Sequence, residues 1–252
     1  MVKFTRAYND DEVRALELRK GAEIWLRLHG VTGDQGDFTI ASNNPSVVRV
    51  VRQVPFDGPR GIWSVRVAAP GLGEAVISVT FGDNATTQLP IVVVAPISLP
   101  ASATREGLWV RLFLSETRNP INRLYDSDET RTAMGWMRRI VVNRLANNPA
   151  QFGASGAKTV FDIVKAPGQF AGFEHYPQVS ADVYNRIHEI LRIANDDGDQ
   201  RQAAMAAYLR MALQIANAPD AVADPSDDGL YGWRTLGSGS PGPRFKAYNS
   251  PK

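Results

Sequence analysis

The second half of the chain depends on an apolar run that ends in polar residues: Leu108-Trp109-Val110-Arg111-Leu112-Phe113-Leu114, followed by Ser115-Glu116-Thr117-Arg118-Asn119-Pro120. The first seven residues include no glycine or proline, so we expect Glu116 to lie at the end of a buried segment. Desolvation raises the pKa of a carboxyl group, as a general acid working near neutral pH requires. The alternative, given equal weight, is that Glu116 only forms an ion pair with Arg118, Arg123 or Arg144.

The composition limits the classes of function. The chain has 252 residues, 44% of them hydrophobic and 21% charged, which is typical of a soluble protein with two modest domains. We expect no transmembrane segment and no signal peptide. The absence of cysteine excludes disulfides, zinc–thiolate sites and cysteine nucleophiles. A net charge of +2 is too small to indicate nucleic acid binding but is compatible with an anionic polymer such as a bacterial wall.

The first hundred residues show short alternating runs that are typical of β-strands. These runs are rich in β-branched and aromatic residues, turn signals separate them, and they comprise residues 22–28, 46–51, 61–67 and 75–81. Such strands predict a β-sandwich of roughly immunoglobulin size. Residues 42–48 and 70–79 resemble the bacterial immunoglobulin-like repeat, which implies a module for docking or spacing without chemistry of its own.

A proline-bracketed strand at residues 90–100 closes this half, and the pattern is helical from Glu106 onward. Helices are predicted for residues 128–145, 180–194 and 199–217. An irregular loop is expected from Asn147 to Ser180, and a Gly/Pro-rich tail from Asp224. The predicted domains are therefore residues 1–100 and 101–252.

Three motifs in the second half resemble the cell-wall hydrolase family typified by the spore-cortex-lytic enzymes. They are Glu116, the run Val141-Val142-Asn143-Arg144-Leu145, and the segment from Val160 to Phe173, which contains Pro167-Gly168-Gln169-Phe170. The resemblance implies a lysozyme-like α domain that cleaves the glycan strands of peptidoglycan. It also implies that Glu116 is the catalytic acid and that Gln169 and Phe170 line the sugar groove. The predicted fold class is an N-terminal immunoglobulin-like β-sandwich followed by a mainly α lysozyme-like domain.

Further residues are candidates for the substrate site. Asn143 and Arg144 interrupt an apolar helix and serve either structural support or substrate contact. Glu174 follows the Gln169 loop and is predicted to border the groove. Tyr231 and Trp233 are either aromatic platforms for sugar rings or packing residues. The alternatives for a second carboxylate are Asp126, Asp128, Glu129 and Glu174.

The predicted function is cleavage of peptidoglycan by a lytic transglycosylase or muramidase-type glycosidase, with Glu116 as general acid/base. No cofactor, metal, nucleic acid or membrane insertion is expected. Without a signal peptide, the enzyme would be an antibacterial toxin such as a type VI secretion effector, or a phage lysis or tail enzyme. It would act in the periplasm or cell wall after non-classical delivery, and an immunity protein and a secretion-apparatus component would be its partners. The alternative is a glycan-binding structural or adhesion protein without enzymatic activity.

Overall fold

The computed structural model describes residues 2–31, 38–82, 86–218, 230–235 and 245–249, and for the last two ranges chiefly the strand backbone. The chain divides into two compact units. The first unit comprises Met1–Ile97 together with the segment Asn195–Gln202, and the second comprises Ser98–Ala194 together with Ala203–Lys252.

Nine strands lie in the part of the first unit that the structure describes. They are β1 (Lys3–Arg6), β2 (Glu12–Val13), β3 (Leu16–Arg19), β4 (Glu23–His29), β5 (Phe38–Ser42), β6 (Arg49–Asp57), β7 (Ile62–Ala68), β8 (Gly73–Phe81) and β9 (Thr86–Val94). One sheet has the order β2-β1-β4-β7-β6 and is antiparallel throughout. The other has the order β3-β9-β8-β5, and its β3 runs parallel to β9.

Alternating side chains from the strands build the core of this unit. In β4, Ile24, Leu26 and Leu28 are buried, whereas Trp25 between them is exposed. The same period of two buries every second residue of β7, β8 and β9, as expected for strands with one face on a core. Phe38 meets Trp63 edge to face, with ring centroids 5.0 Å apart.

A buried ion pair joins β3 to the segment Asn195–Gln202. The Nη1 of Arg19 lies 2.9 Å from Oδ1 of Asp197, and the backbone N–H of Arg19 donates to the other carboxylate oxygen at 2.5 Å. The side chains are only 4% and 1% exposed. Both oxygens of a carboxylate removed from water are thus hydrogen-bonded, which is the arrangement that makes such burial tolerable.

The rest of the described chain contains five α-helices, one short 3-10 helix (Pro149–Phe152) and a hairpin. The helices are α1 (Arg105–Glu116), α2 (Ser127–Ala146), α3 (Val160–Lys165), α4 (Ala181–Ala194) and α5 (Gln202–Asn217), and the strands are β10 (Leu230–Thr235) and β11 (Phe245–Asn249). Side-chain caps begin α1 at Thr104, α2 at Asp126 and α3 at Thr159. Strands β10 and β11 pair antiparallel and contact α2. None of the helices in the described ranges is long and apolar enough to span a membrane.

The predicted fold class, an immunoglobulin-like sandwich followed by a mainly α lysozyme-like domain, is wrong. One of the two sheets contains a parallel pair, and the second unit adds a β-hairpin to its helices. Periodicity shows which residues alternate but not which strands pair, so it does not give the parallel alignment of β3 with β9. The segment predicted as an irregular loop contains α3, and the predicted tail contains β10 and β11. The domains 1–100 and 101–252 stay predictions.

We expect Asp197→Ala to lower the free energy of unfolding of the chain by about 3 kcal/mol, because it leaves the guanidinium of Arg19 buried without its main partner. Glu17→Ala is the matched control: it removes an exposed carboxylate that lies 3.3 Å from the same guanidinium. The control should cost less than about 1 kcal/mol. Chemical denaturation measures both values, and equal losses would contradict the assignment of the buried pair as the stabilising one.

Candidate active site

Glu116 is the last residue of α1 and lies half-buried at the edge of a cleft. The helix begins at the Thr104 cap, and its residues 107–110 and 112–114 are buried. The cleft has a volume of about 400 Å³ and is lined by Glu116, Thr117, Arg118, Asn119, Ile121, Asn122 and Arg186. The apolar sequence of α1 therefore carries its terminal carboxylate into a concave, partly desolvated place.

Desolvation controls the protonation of Glu116. Burial raises the pKa of its carboxyl group, and the positive charge of Arg186 opposes that rise without cancelling it. Among the described residues, the side chain of Glu116 makes no ion pair and no hydrogen bond. The alternative explanation, in which an arginine at position 118, 123 or 144 pairs with this carboxylate, is thus not what the described residues show.

Arg186 on α4 holds the end of α1. Its Nε donates to the carbonyl oxygen of Leu114 at 2.9 Å, and its Nη2 donates to that of Thr117 at 2.6 Å. The last carbonyls of a helix have no partner within the helix, and a cation suits the negative end of its dipole. Arg186 therefore fixes the backbone on both sides of Glu116 and places a positive charge beside the cleft.

Thr117 turns the chain away from the helix. Its buried hydroxyl donates to the carbonyl oxygen of Phe113 at 2.8 Å and lies 2.9 Å from the hydroxyl of Tyr208 on α5. Burial raises the pKa of Tyr208 to about 12, so its hydroxyl stays neutral and available for this bond. The residue that follows the candidate acid is thereby bonded to both α1 and α5.

The loop beyond Thr117 presents two amides to the cleft. The side-chain oxygen of Asn119 accepts from the backbone N–H of Ile121 at 3.1 Å, and that of Asn122 accepts from Leu124 at 2.9 Å. These bonds set the loop shape. Neither Nδ2 has a hydrogen-bond partner among the residues that the structure describes, so each remains a donor for a ligand.

The other predicted substrate residues do not line this cleft within the described part of the chain. Arg144 donates to the side-chain oxygen of Gln169 and lies over the ring of Phe152, 5.1 Å from its centroid. Asn143 is buried on α2. Phe170 is 2% exposed and belongs to the core. The second and third motifs are thus joined by the Arg144–Gln169 bond rather than by a shared position in the cleft.

The remaining candidates lie elsewhere. Glu174 is exposed, and Asp126 caps α2 by accepting from two backbone N–H groups. Tyr231 and Trp233 lie in β10, but their side chains fall outside the described residues. No group of three or more potential metal ligands occurs in the described ranges. Sequence analysis missed Asn119, Asn122 and Arg186, although the Asn-x-x-Asn spacing around Pro120 signals a turn.

No family model matches the chain, and no curated protein matches it. Domains 5–6 of the S-layer protein SbsC align with it at 16% identity and a TM-score of 0.29, over 34% of this chain and 43% of that one. The cysteine protease inhibitor EhICP2 from Entamoeba histolytica aligns at 11% identity and a TM-score of 0.26, over 32% of this chain and 85% of that one. A titin–obscurin-like immunoglobulin complex aligns at 13% identity and a TM-score of 0.22, over 39% and 100%.

The chain thus spans less than half the length of the S-layer segment that it matches. None of the three structures is a lysozyme-like hydrolase. Likenesses this slight assign neither a family nor an activity.

Replacing Arg186 by methionine should lower the free energy of unfolding by about 2 to 3 kcal/mol, because two charge-assisted bonds to α1 are lost. The same change removes the cation that lowers the pKa of Glu116, so that pKa should rise further. Denaturation and NMR titration of the Glu116 carboxyl measure the two effects. Arg192→Met on the same helix removes an exposed ion pair with Glu189 and should cost less than about 0.5 kcal/mol. An unchanged pKa of Glu116 in Arg186→Met would contradict the electrostatic role of Arg186.

Glu116→Gln should make the protein more stable than the wild type at neutral and higher pH. The folded-state pKa lies above the ordinary value of 4.5, so the folded protein binds more protons than the unfolded chain between these two pKa values. Its free energy of unfolding therefore falls as the pH rises through this window, and glutamine escapes that loss. The advantage should vanish below about pH 4. Glu106→Gln, at the opposite end of α1, is the control, and an advantage that persists in acid would refute this account.

Proposed function

We propose that the chain cleaves the glycan strands of peptidoglycan and that Glu116 is the general acid/base. The observation that carries the proposal is a half-buried carboxyl group in an open cleft, with a raised pKa and no ion pair among the described residues. Such a group holds a proton at a higher pH than an exposed glutamate does, so it is suited to protonate a leaving oxygen. The resemblance of residues 116, 141–145 and 160–173 to cell-wall hydrolases supports the choice of polymer.

The number of carboxylates favours a lytic transglycosylase over a hydrolase. Glycoside hydrolysis ordinarily uses two carboxyl groups on opposite sides of the bond, whereas Glu116 is the one acidic residue that lines the described cleft. In the proposed step, Glu116 donates its proton to the glycosidic oxygen as the bond from that oxygen to the anomeric carbon breaks. The resulting carboxylate accepts the proton of the substrate's own 6-hydroxyl as that oxygen attacks the anomeric carbon. The sugar leaves with a 1,6-anhydro ring, and Glu116 is again protonated.

The cleft offers groups that suit an N-acetylated sugar. The Nδ2 groups of Asn119 and Asn122 are donors for hydroxyl or N-acetyl oxygens, and Ile121 supplies an exposed apolar surface. Arg186 contributes positive charge beside the reacting carboxyl group. The Arg144–Gln169 bond is proposed to support the loop between α3 and α4 rather than to touch the sugar.

Incubation with purified peptidoglycan sacculi tests the proposal. The wild type should release anhydro-muropeptides, identified by mass spectrometry, and Glu116→Gln should release them at least about 100-fold more slowly. Glu106→Gln makes the same chemical change at the start of α1 and should retain full activity. Asn119→Ala and Asn122→Ala should mainly raise the KM.

Three results would overturn parts of this account. Products with reducing ends would identify a hydrolase and a second carboxylate outside the described cleft. Equal activity of Glu116→Gln and the wild type would exclude Glu116 as the acid. A folded wild type that releases nothing from sacculi would exclude the cleavage itself.

A further inference from the structure

The outer face of the antiparallel sheet in the first unit concentrates arginine and aromatic side chains. Because Ile24, Leu26 and Leu28 of β4 face the core, the alternate residues of the strand face outward. The same face extends to the neighbouring strands, because Trp25 lies opposite Arg66 of β7 in the strand register and Arg66 lies opposite Arg52 of β6. We call the set the arginine face and define it as Trp25, Arg27, Arg49, Arg52, Phe56 and Arg66.

Two of the arginines on this face lie over aromatic rings. The guanidinium carbon of Arg27 is 4.2 Å from the ring centroid of Phe56, and that of Arg66 is 5.9 Å from the ring centroid of Trp25. Phe56 is nevertheless 55% exposed and Trp25 is 38% exposed. Cation–π contacts hold these two guanidinium groups against the aromatic rings, while their Nη atoms donate to the carboxylates of Asp10 and Glu23.

The charge on the arginine face is positive but sparse. Arg27 pairs with Asp10 at 2.7 Å, and Arg66 pairs with Glu23 at 2.5 Å. Arg49 and Arg52 are exposed and have no ion-pair partner among the described residues. Four guanidinium groups thus face two carboxylates, and the uncompensated charge belongs to the edge strand β6. This surface complements a ligand whose negative charges are separated by uncharged, partly apolar segments.

We propose that the arginine face binds a carboxylate-bearing glycan. Sugar rings present apolar CH groups to the exposed parts of Trp25 and Phe56, and carboxylates accept from Arg49 and Arg52 with the bidentate geometry of a guanidinium. Adjacent strands are about 4.8 Å apart, so the row Trp25–Arg66–Arg52 extends roughly 10 Å across the sheet and places one aromatic ring beside two guanidinium groups. A nucleic acid fits less well, because its closely spaced phosphates would also meet Asp10 and Glu23.

The choice of peptidoglycan as the specific glycan rests on the proposed function, whereas the binding chemistry does not. The two surfaces would then divide the work: the arginine face retains the polymer, and the cleft at Glu116 cuts it. Retention is expected to raise the rate on insoluble sacculi and to leave the rate on short soluble glycan fragments unchanged.

The test measures co-sedimentation of the full chain with sacculi in the Glu116→Gln background, which separates binding from cleavage. Arg49→Glu combined with Arg52→Glu should weaken binding about tenfold at low salt, and high salt should weaken wild-type binding similarly. Lys20→Glu combined with Lys158→Glu makes the same charge change at two exposed residues that do not belong to the arginine face, and it should leave binding within about twofold. Circular dichroism establishes that each variant is folded.

The inference would be overturned if the arginine and lysine double variants bound sacculi equally well. It would also be overturned if high salt did not weaken wild-type binding. Binding of a short DNA duplex as tight as that of sacculi, with the same loss in the arginine variant, would overturn it in favour of a nucleic acid. Intact glycan binding without any cleavage by the wild type would leave the inference standing and would overturn only the proposed function.

Discussion

The two hydrogen bonds from Arg186 to the end of α1 are the interaction on which the candidate site depends. They satisfy the carbonyl oxygens of Leu114 and Thr117, which lie on either side of Glu116 in the sequence. The backbone at Glu116 is thereby fixed, and with it the direction in which the side chain leaves the helix. The same guanidinium exerts the main opposing charge on the carboxyl group. The side chain of Arg186 therefore affects both the backbone around Glu116 and the pKa of its carboxyl group. That pKa is raised because the effect of burial exceeds the opposing effect of the Arg186 charge.

Asp197, which is buried, and Glu116, which is half-buried, differ in a way that distinguishes a structural carboxylate from a candidate for chemistry. Burial raises the pKa of Asp197 as it does that of Glu116, but Asp197 has Arg19 on both of its oxygens. Glu116 has no such partner among the described residues. A carboxylate withdrawn from water costs free energy unless it is paired. The bonds from Arg19 reduce this cost for Asp197, although its pKa stays raised. Glu116 has no such bonds among the described residues, which is the pattern expected of a group kept available for a ligand.

The sequence predicts local elements well and long-range pairings poorly. Strand periods at residues 22–28, 61–67 and 75–81, and the helical face at 128–145, correspond to β4, β7, β8 and α2. The position of Glu116 at a helix end also follows from the apolar run before it. In the sequence, Arg186 lies 70 residues after Glu116, and Asp197 lies 178 residues after Arg19. No local pattern therefore predicts either contact. The parallel pairing of β3 with β9 is hidden for the same reason, and this is where the fold-class prediction failed.

The resemblance to cell-wall hydrolases predicts that Gln169 and Phe170 line a sugar groove, but in the structure neither residue lines the cleft at Glu116. Gln169 and Arg144 bond to each other, and Phe170 is in the core, so these residues of the second and third motifs connect α2 to the loop after α3. The cleft itself is lined by Asn119, Asn122 and Arg186, which belong to none of the three motifs. Motif spacing reports which elements must be held together, whereas the chemistry of a site depends on desolvation and on unpaired donors. Under the proposed function, substrate preference should therefore depend on Asn119 and Asn122 more than on the residues of the second and third motifs.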